Sequence, residues 1–131
     1  MIYGIGVDTA AIARVEKSMA RPSFVRRVFG EAERAQLAGR GAHAAASAAA
    51  NFAAKEAFGK ALGTGIFTAA FSLPEVQVLR GESGAPYFAF SGRAAGLLRR
   101  RRLTAHLSLT HEGGLATAFV ILEQENEEEK P

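Results

Sequence analysis

A chain of 131 residues has room for one domain with a single core, and 48% hydrophobic with 22% charged residues is an ordinary globular composition. The absence of cysteine excludes a disulfide scaffold, a thiolate metal site and a cysteine nucleophile, and agrees with a reducing cytoplasm. The net charge of +3 divides unevenly: Glu123, Glu125, Glu127, Glu128 and Glu129 crowd the C-terminus with Lys130, leaving 15 bases against 8 acids in a body that attracts acidic proteins, phosphorylated molecules, nucleic acid or anionic lipid.

The N-terminus, MIYGIGVD, lacks the basic start of a signal peptide, and no apolar run approaches the roughly 20 residues that cross a bilayer, so a cytoplasmic protein is expected. Ile2 to Val7 reads as a buried strand whose glycines, Gly4 and Gly6, admit another backbone. Asp8-Thr9 offers N-cap chemistry to a helix over 10–20, with Ile12, Val15 and Met19 at helical spacing. Pro22-Ser23 punctuates the chain, and residues 30–38 form a second short helix ending at Gly39. The alanine-rich stretch 42–62 is the longest helix, stopped by Gly63-Thr64-Gly65. Val76 to Arg80 and Pro86 to Phe90 form a hairpin around a turn at 81–84. A basic helix over 92–102 leads into a second hairpin, Ala105 to Thr110 and Leu115 to Leu122, turning at Glu112-Gly113-Gly114. The pattern is α+β, a small antiparallel sheet against a long helix. Residues 1–123 make one domain, and 124–131 an acidic tail expected to be disordered.

Asp8 stands where a strand gives way to a helix, as a cap or as a side chain projecting from a rigid support. Advancing 100° per residue, Glu56 shares a stripe with Ala45, Ala49, Phe52, Gly59 and Gly63, all small or apolar. A carboxylate on such a packing face costs several kcal/mol unless paired or bound to a cation. A salt bridge to Lys60, one turn on, answers that cost, and so does a metal ion, for which Gly59 and Gly63 clear space. Two such carboxylates with a phosphate-bearing substrate are a common way to hold magnesium. Lys55, Lys60 and the backbone N–H groups of Gly63, Thr64 and Gly65 are placed to hold phosphates beside it. Strand alternation sets His106, Ser108 and Thr110 on one face, as a polar edge or a row for a diphosphate, with Leu107 and Leu109 on the other. His111 falls on the apolar side and reads as structural, and His43 carries no assignment. Arg14, Lys17, Arg21, Arg26 and Arg27 form a basic patch near Asp8. The run Arg99 to Arg102 lacks interleaved aromatics and any nucleic-acid motif, and reads as a solvated helix end.

MIYGIGVDTAAIARVE, FAAKEAFGKALGTG at 52–65, GAPYF at 84–88 and AHLSLTHEGGLATAFVILE at 105–123 together resemble, in order and spacing, the signatures of holo-[acyl-carrier-protein] synthases. The resemblance implies a 4'-phosphopantetheinyl transferase fold assembled as a trimer with sites between subunits. It also implies magnesium as cofactor, coenzyme A and an acyl carrier protein as substrates, and a role in fatty acid biosynthesis. Asp8 and Glu56 match the metal ligands, and Lys60 a lysine near the coenzyme A phosphates. Gly63, Thr64 and Gly65 with the His106–Thr110 strand match segments lining that site, and Arg14 and the bases after it match the carrier-protein surface. Glu56, Lys60 and His106 are the catalytic candidates. Asn51 stands where the family usually has arginine, which puts one phosphate contact in question, and Phe67 stands where glycine is common. A nucleic-acid module using Arg99–Arg102 and a non-catalytic phosphate-binding trimer are the competing readings.

Overall fold

The computed structural model describes residues 1–126, so the acidic positions beyond Asn126 in the expected tail lie outside the described residues. The elements run β1 (Ile2–Ala11), α1 (Ile12–Met19), α2 (Pro22–Val28), α3 (Glu31–Ala38), α4 (Ala44–Leu62), β2 (Val76–Arg80), β3 (Pro86–Phe90), α5 (Gly92–Arg101), β4 (Leu103–Glu112) and β5 (Leu115–Gln124). β1, β5 and β4 form an antiparallel sheet in that order, and β2 pairs with β3 in a separate hairpin. Among the described residues no helix is long and apolar enough to cross a membrane.

The sheet has two unlike faces. On the inner one, Ala116, Ala118, Val120 and Leu122 of β5 are wholly buried against α4. β1 lies under the same helix, and its glycines make that possible: a Cβ on Gly4 would collide with the carbonyl oxygen of Ala61, and one on Gly6 with that of Ala57. The expectation that these glycines admit a second backbone is met by α4. Gly6→Ala is expected to destabilise by about 3 kcal/mol, since helix or strand must shift, and to lower Tm by roughly 10 °C in calorimetry. An unchanged Tm would mean that the helix–sheet spacing is not fixed here. On the outer face Ile5, Val7, Leu115 and Phe119 are exposed.

Several boundaries differ from the sequence expectation. β1 pairs with β5 as far as Ala11 opposite Leu115, so Asp8 lies inside the strand rather than at a helix cap. The residue before α1 is Ala11, and no side chain caps that helix. Pro22 starts α2 rather than interrupting the chain, because its fixed φ and missing N–H suit the first helical turn. At the other end β5 runs through Gln124, whose N–H donates to the Met1 carbonyl, and the Glu125 N–H donates to the Arg102 carbonyl.

α4 is buried nearly all round, not along one stripe. Its polar residues are therefore paired. Lys55 is wholly buried and its ammonium donates to Glu33 Oε1 at 2.9 Å, to the Leu73 carbonyl at 3.0 Å and to the Val76 carbonyl at 2.6 Å. Glu33, equally buried, also accepts from the N–H groups of Gly30 and Val78 and from the Asn51 amide. Burial pushes Lys55 below its ordinary range and Glu33 pulls it back up. The network ties α3, α4 and β2 together and leaves Lys55 unable to reach a phosphate, contrary to the expectation for it.

Candidate active site

Asp8 projects from the inner face of β1, opposite Ala118, at the place where the glycine spacing has already brought α4 close. The Lys60 ammonium of α4 donates to Asp8 Oδ1 and to the Val7 carbonyl, both at 3.0 Å. Glu56, one turn earlier on α4, is half-buried. Burial pushes its carboxyl above the usual carboxylate range, the Asp8 charge pushes it further, and the Lys60 charge draws it partly back. Two carboxylates and an ammonium, from residues 48 and 52 positions apart, thus meet at one edge of the helix–sheet interface. The local Glu56–Lys60 bridge is replaced by a bond from Lys60 across to β1.

The loop after α4 is built differently from the expectation. Gly63 closes the helix at φ 90°, a conformation that favours glycine. The N–H groups of Gly63, Thr64 and Gly65 all donate to the Gly59 carbonyl, at 3.0 to 3.1 Å. They are spent on the helix end and are not turned out toward a phosphate. A Cβ on Gly59 would lie 2.7 Å from the Gly65 backbone, so this glycine clears room for the returning loop and not for a ligand.

His106, Ser108 and Thr110 share the exposed face of β4, as the alternation predicts. Register places them on the outer side of the sheet: Val7, Phe119 and Ser108 line up across the three strands, as do Thr9, Thr117 and Thr110. Asp8 and Glu56 are on the inner side. Within one chain the sheet therefore stands between the acids and the polar row, and His106 instead meets Glu123 at 3.0 Å. Arg14, Lys17, Arg21, Arg26 and Arg27 are all exposed on α1, α2 and the turn joining them. In the other basic run Arg101 donates to the Tyr3 hydroxyl at 2.9 Å.

Sequence reasoning missed a cleft between the start of α4, the end of β2 and the end of β4, where Arg40, His43, Arg80 and His111 converge. Single positions scattered over seventy residues give no local signal of such a gathering.

Among the described residues no cluster of three or more His, Cys, Asp or Glu side chains could hold a metal alone. Asp8 and Glu56 do fit an ion that completes its shell with substrate oxygens and water. They are hard oxygen donors, partly open, whose mutual repulsion a divalent cation relieves and which already draw Lys60 between strand and helix.

Residues 4–120 match the model of the 4'-phosphopantetheinyl transferase superfamily. A holo-[acyl-carrier-protein] synthase of Myxococcus xanthus is 42% identical, over 96% of this chain and 98% of that protein. The crystal structure of holo-[acyl-carrier-protein] synthase from Neisseria meningitidis matches with a TM-score of 0.85 at 31% identity, over 95% of this chain and 100% of that one. That of a Bacillus anthracis holo-(acyl-carrier-protein) synthase in complex with CoA (3',5'-ADP) matches with a TM-score of 0.80 at 34% identity, over 95% and 99%. The α+β architecture of small antiparallel sheets on a long helix is the one these structures share.

Proposed function

The chain belongs to the 4'-phosphopantetheinyl transferase superfamily, and from that premise we propose that it transfers 4'-phosphopantetheine from coenzyme A to a serine of an apo acyl carrier protein. The reading is carried by the meeting of Asp8, Glu56 and Lys60 across β1 and α4. The serine hydroxyl attacks the phosphorus that bears pantetheine. The anhydride bond breaks, the electron pair leaves on adenosine 3',5'-bisphosphate, and the new serine phosphodiester is the holo carrier protein. Asp8 and Glu56 would hold magnesium, whose contribution when bound is to neutralise charge on the diphosphate. Lys60 adds a fixed positive charge beside the leaving oxygen. Glu56 takes the serine proton, with His106 as the other acceptor the chain offers. The Gly63–Gly65 loop, its N–H groups closed on the Gly59 carbonyl, would border the coenzyme A site without cradling its phosphates.

The sheet's outer face supports a trimer. Its exposed Ile5, Val7, Leu115 and Phe119 call for cover by a second copy of the chain, and the proposed site pairs the acids of one copy with the His106, Ser108 and Thr110 row of a neighbour. The basic surface of Arg14, Lys17, Arg21, Arg26 and Arg27 suits an acidic helix of the carrier protein. We place the enzyme in the cytoplasm, serving fatty acid synthesis, with residues 1–123 as its transferase domain.

Incubating the protein with an apo carrier protein, coenzyme A and magnesium should add the mass of one phosphopantetheine to the carrier and none to a carrier whose serine is alanine. No mass shift with any acyl carrier protein would defeat the assignment.

A further inference from the structure

On the outer face of the sheet His106 of β4 lies opposite Ile121 of β5, which lies opposite Ile5 of β1, so its neighbours across the strands are apolar. The partner it finds is on the diagonal. Glu123 stands two residues along β5, opposite Thr104, and belongs to that strand rather than to the acidic run that follows it. In an antiparallel pair such diagonal neighbours touch when their side chains are long. Here His106 Nε2 lies 3.0 Å from Glu123 Oε1.

Both side chains are more than half exposed, 54% for His106 and 56% for Glu123, and a surface pair of this kind adds little to stability. Its consequence is chemical. A carboxylate accepts and does not donate, so the bond puts the proton on Nε2. A neutral imidazole carries a single N–H, and with Nε2 holding it the free lone pair is on Nδ1. Nδ1 makes no hydrogen bond among the described residues. No other bond to the ring selects between its tautomers, and a neutral ring protonated on Nδ1 would present a donor where an acceptor is needed.

Resting on the transferase reading, we propose that Glu123 is a positioning residue for the reaction: it holds His106 as the Nε2–H tautomer and makes Nδ1 the atom through which His106 serves as the second proton acceptor. When His106 accepts, the serine proton comes to Nδ1 as the serine oxygen bonds to phosphorus and the anhydride electron pair leaves on adenosine 3',5'-bisphosphate. Nε2 keeps its own proton throughout, and Glu123 gains none.

The test reads the ring and the reaction separately. Protein with nitrogen-15 histidine, followed by long-range proton–nitrogen correlation at about pH 8, above the ordinary histidine range, should show His106 as the Nε2–H tautomer, with His106→Ala identifying its signals. Glu123→Gln should give a mixture of tautomers, because an amide can offer the ring either its oxygen or its N–H. In steady-state transfer Glu123→Gln should lower kcat by about tenfold, the scale for a group that orients a functional imidazole, with KM for coenzyme A and for the carrier little changed. Glu123→Asp, still a carboxylate, should recover part of that loss. Added to His106→Ala, Glu123→Gln should cost nothing further of the residual activity, whereas a merely structural Glu123 would lower both backgrounds alike. A wild-type ring protonated on Nδ1 or mixed between tautomers, an unchanged kcat in Glu123→Gln, or an equal loss with and without His106 overturns the assignment of Glu123 and leaves the transferase reading standing. An Nε2–H ring in a wild type that transfers nothing defeats the transferase reading, and with it the role in transfer, while the tautomer assignment holds.

Discussion

Asp8→Asn and Glu56→Gln should each lower transfer by about 10³-fold while leaving the circular dichroism spectrum and melting curve close to wild type. The expected loss is large because each change removes one of two negative oxygens at the point where the diphosphate would be held. The fold should tolerate both. The amide introduced by Asp8→Asn still offers an oxygen to the Lys60 ammonium, and Glu56 is only half-buried and lies outside the Glu33–Lys55–Asn51 network that joins α3, α4 and β2. Neutralising either acid also removes the repulsion that raises the Glu56 carboxyl, which favours the fold slightly. A variant that kept wild-type kcat/KM would show that its acid is a structural partner of Lys60 and nothing more.

A mixture of Asp8→Asn and His106→Ala proteins, unfolded and refolded together, should recover activity that neither has alone. Each chain keeps its acids on the inner face of the sheet and its His106–Ser108–Thr110 row on the outer face. If a neighbouring copy supplies the row, a site between an acid-intact chain and a row-intact chain is whole. Random assembly makes about one interface in four of that kind, so the mixture should reach about a quarter of wild-type activity. Phe119→Glu, placed among Val7 and Ser108 on the exposed face, should give a monomer by sedimentation and abolish transfer. No recovery on mixing, or a fully active Phe119→Glu monomer, would place the complete site within one chain.

The apolar alternation of β4 and β5, the alanine-rich run of α4 and the glycines of β1 were legible because each follows from local period or backbone sterics. So was the burial demand at Glu56. What answers a demand is set by distant partners, and there local reasoning failed. Lys60 lies one helical turn from Glu56 yet donates to Asp8 and the Val7 carbonyl, because Gly4 and Gly6 let β1 lie directly against the helix. Lys55 reads as a free cation until α3 and β2 enclose it with Glu33 and two carbonyls. The glycine loop looked like a phosphate cradle, but its N–H groups serve the Gly59 carbonyl, since a helix end has its own unpaired acceptors to satisfy. That Arg80 and His111 share a cleft follows only from the fold, which sets the ends of β2 and β4 beside the start of α4.

The central claim is that Asp8 and Glu56 hold a single divalent cation between them, and a Mn²⁺ titration followed by electron paramagnetic resonance in the presence of coenzyme A reads it directly. The wild type should bind one ion per chain. Asp8→Asn and Glu56→Gln should each weaken binding by about tenfold or more, and the double variant should lose little beyond the singles, as expected for two ligands of one ion. Wild-type Mn²⁺ affinity in both single variants would contradict the account.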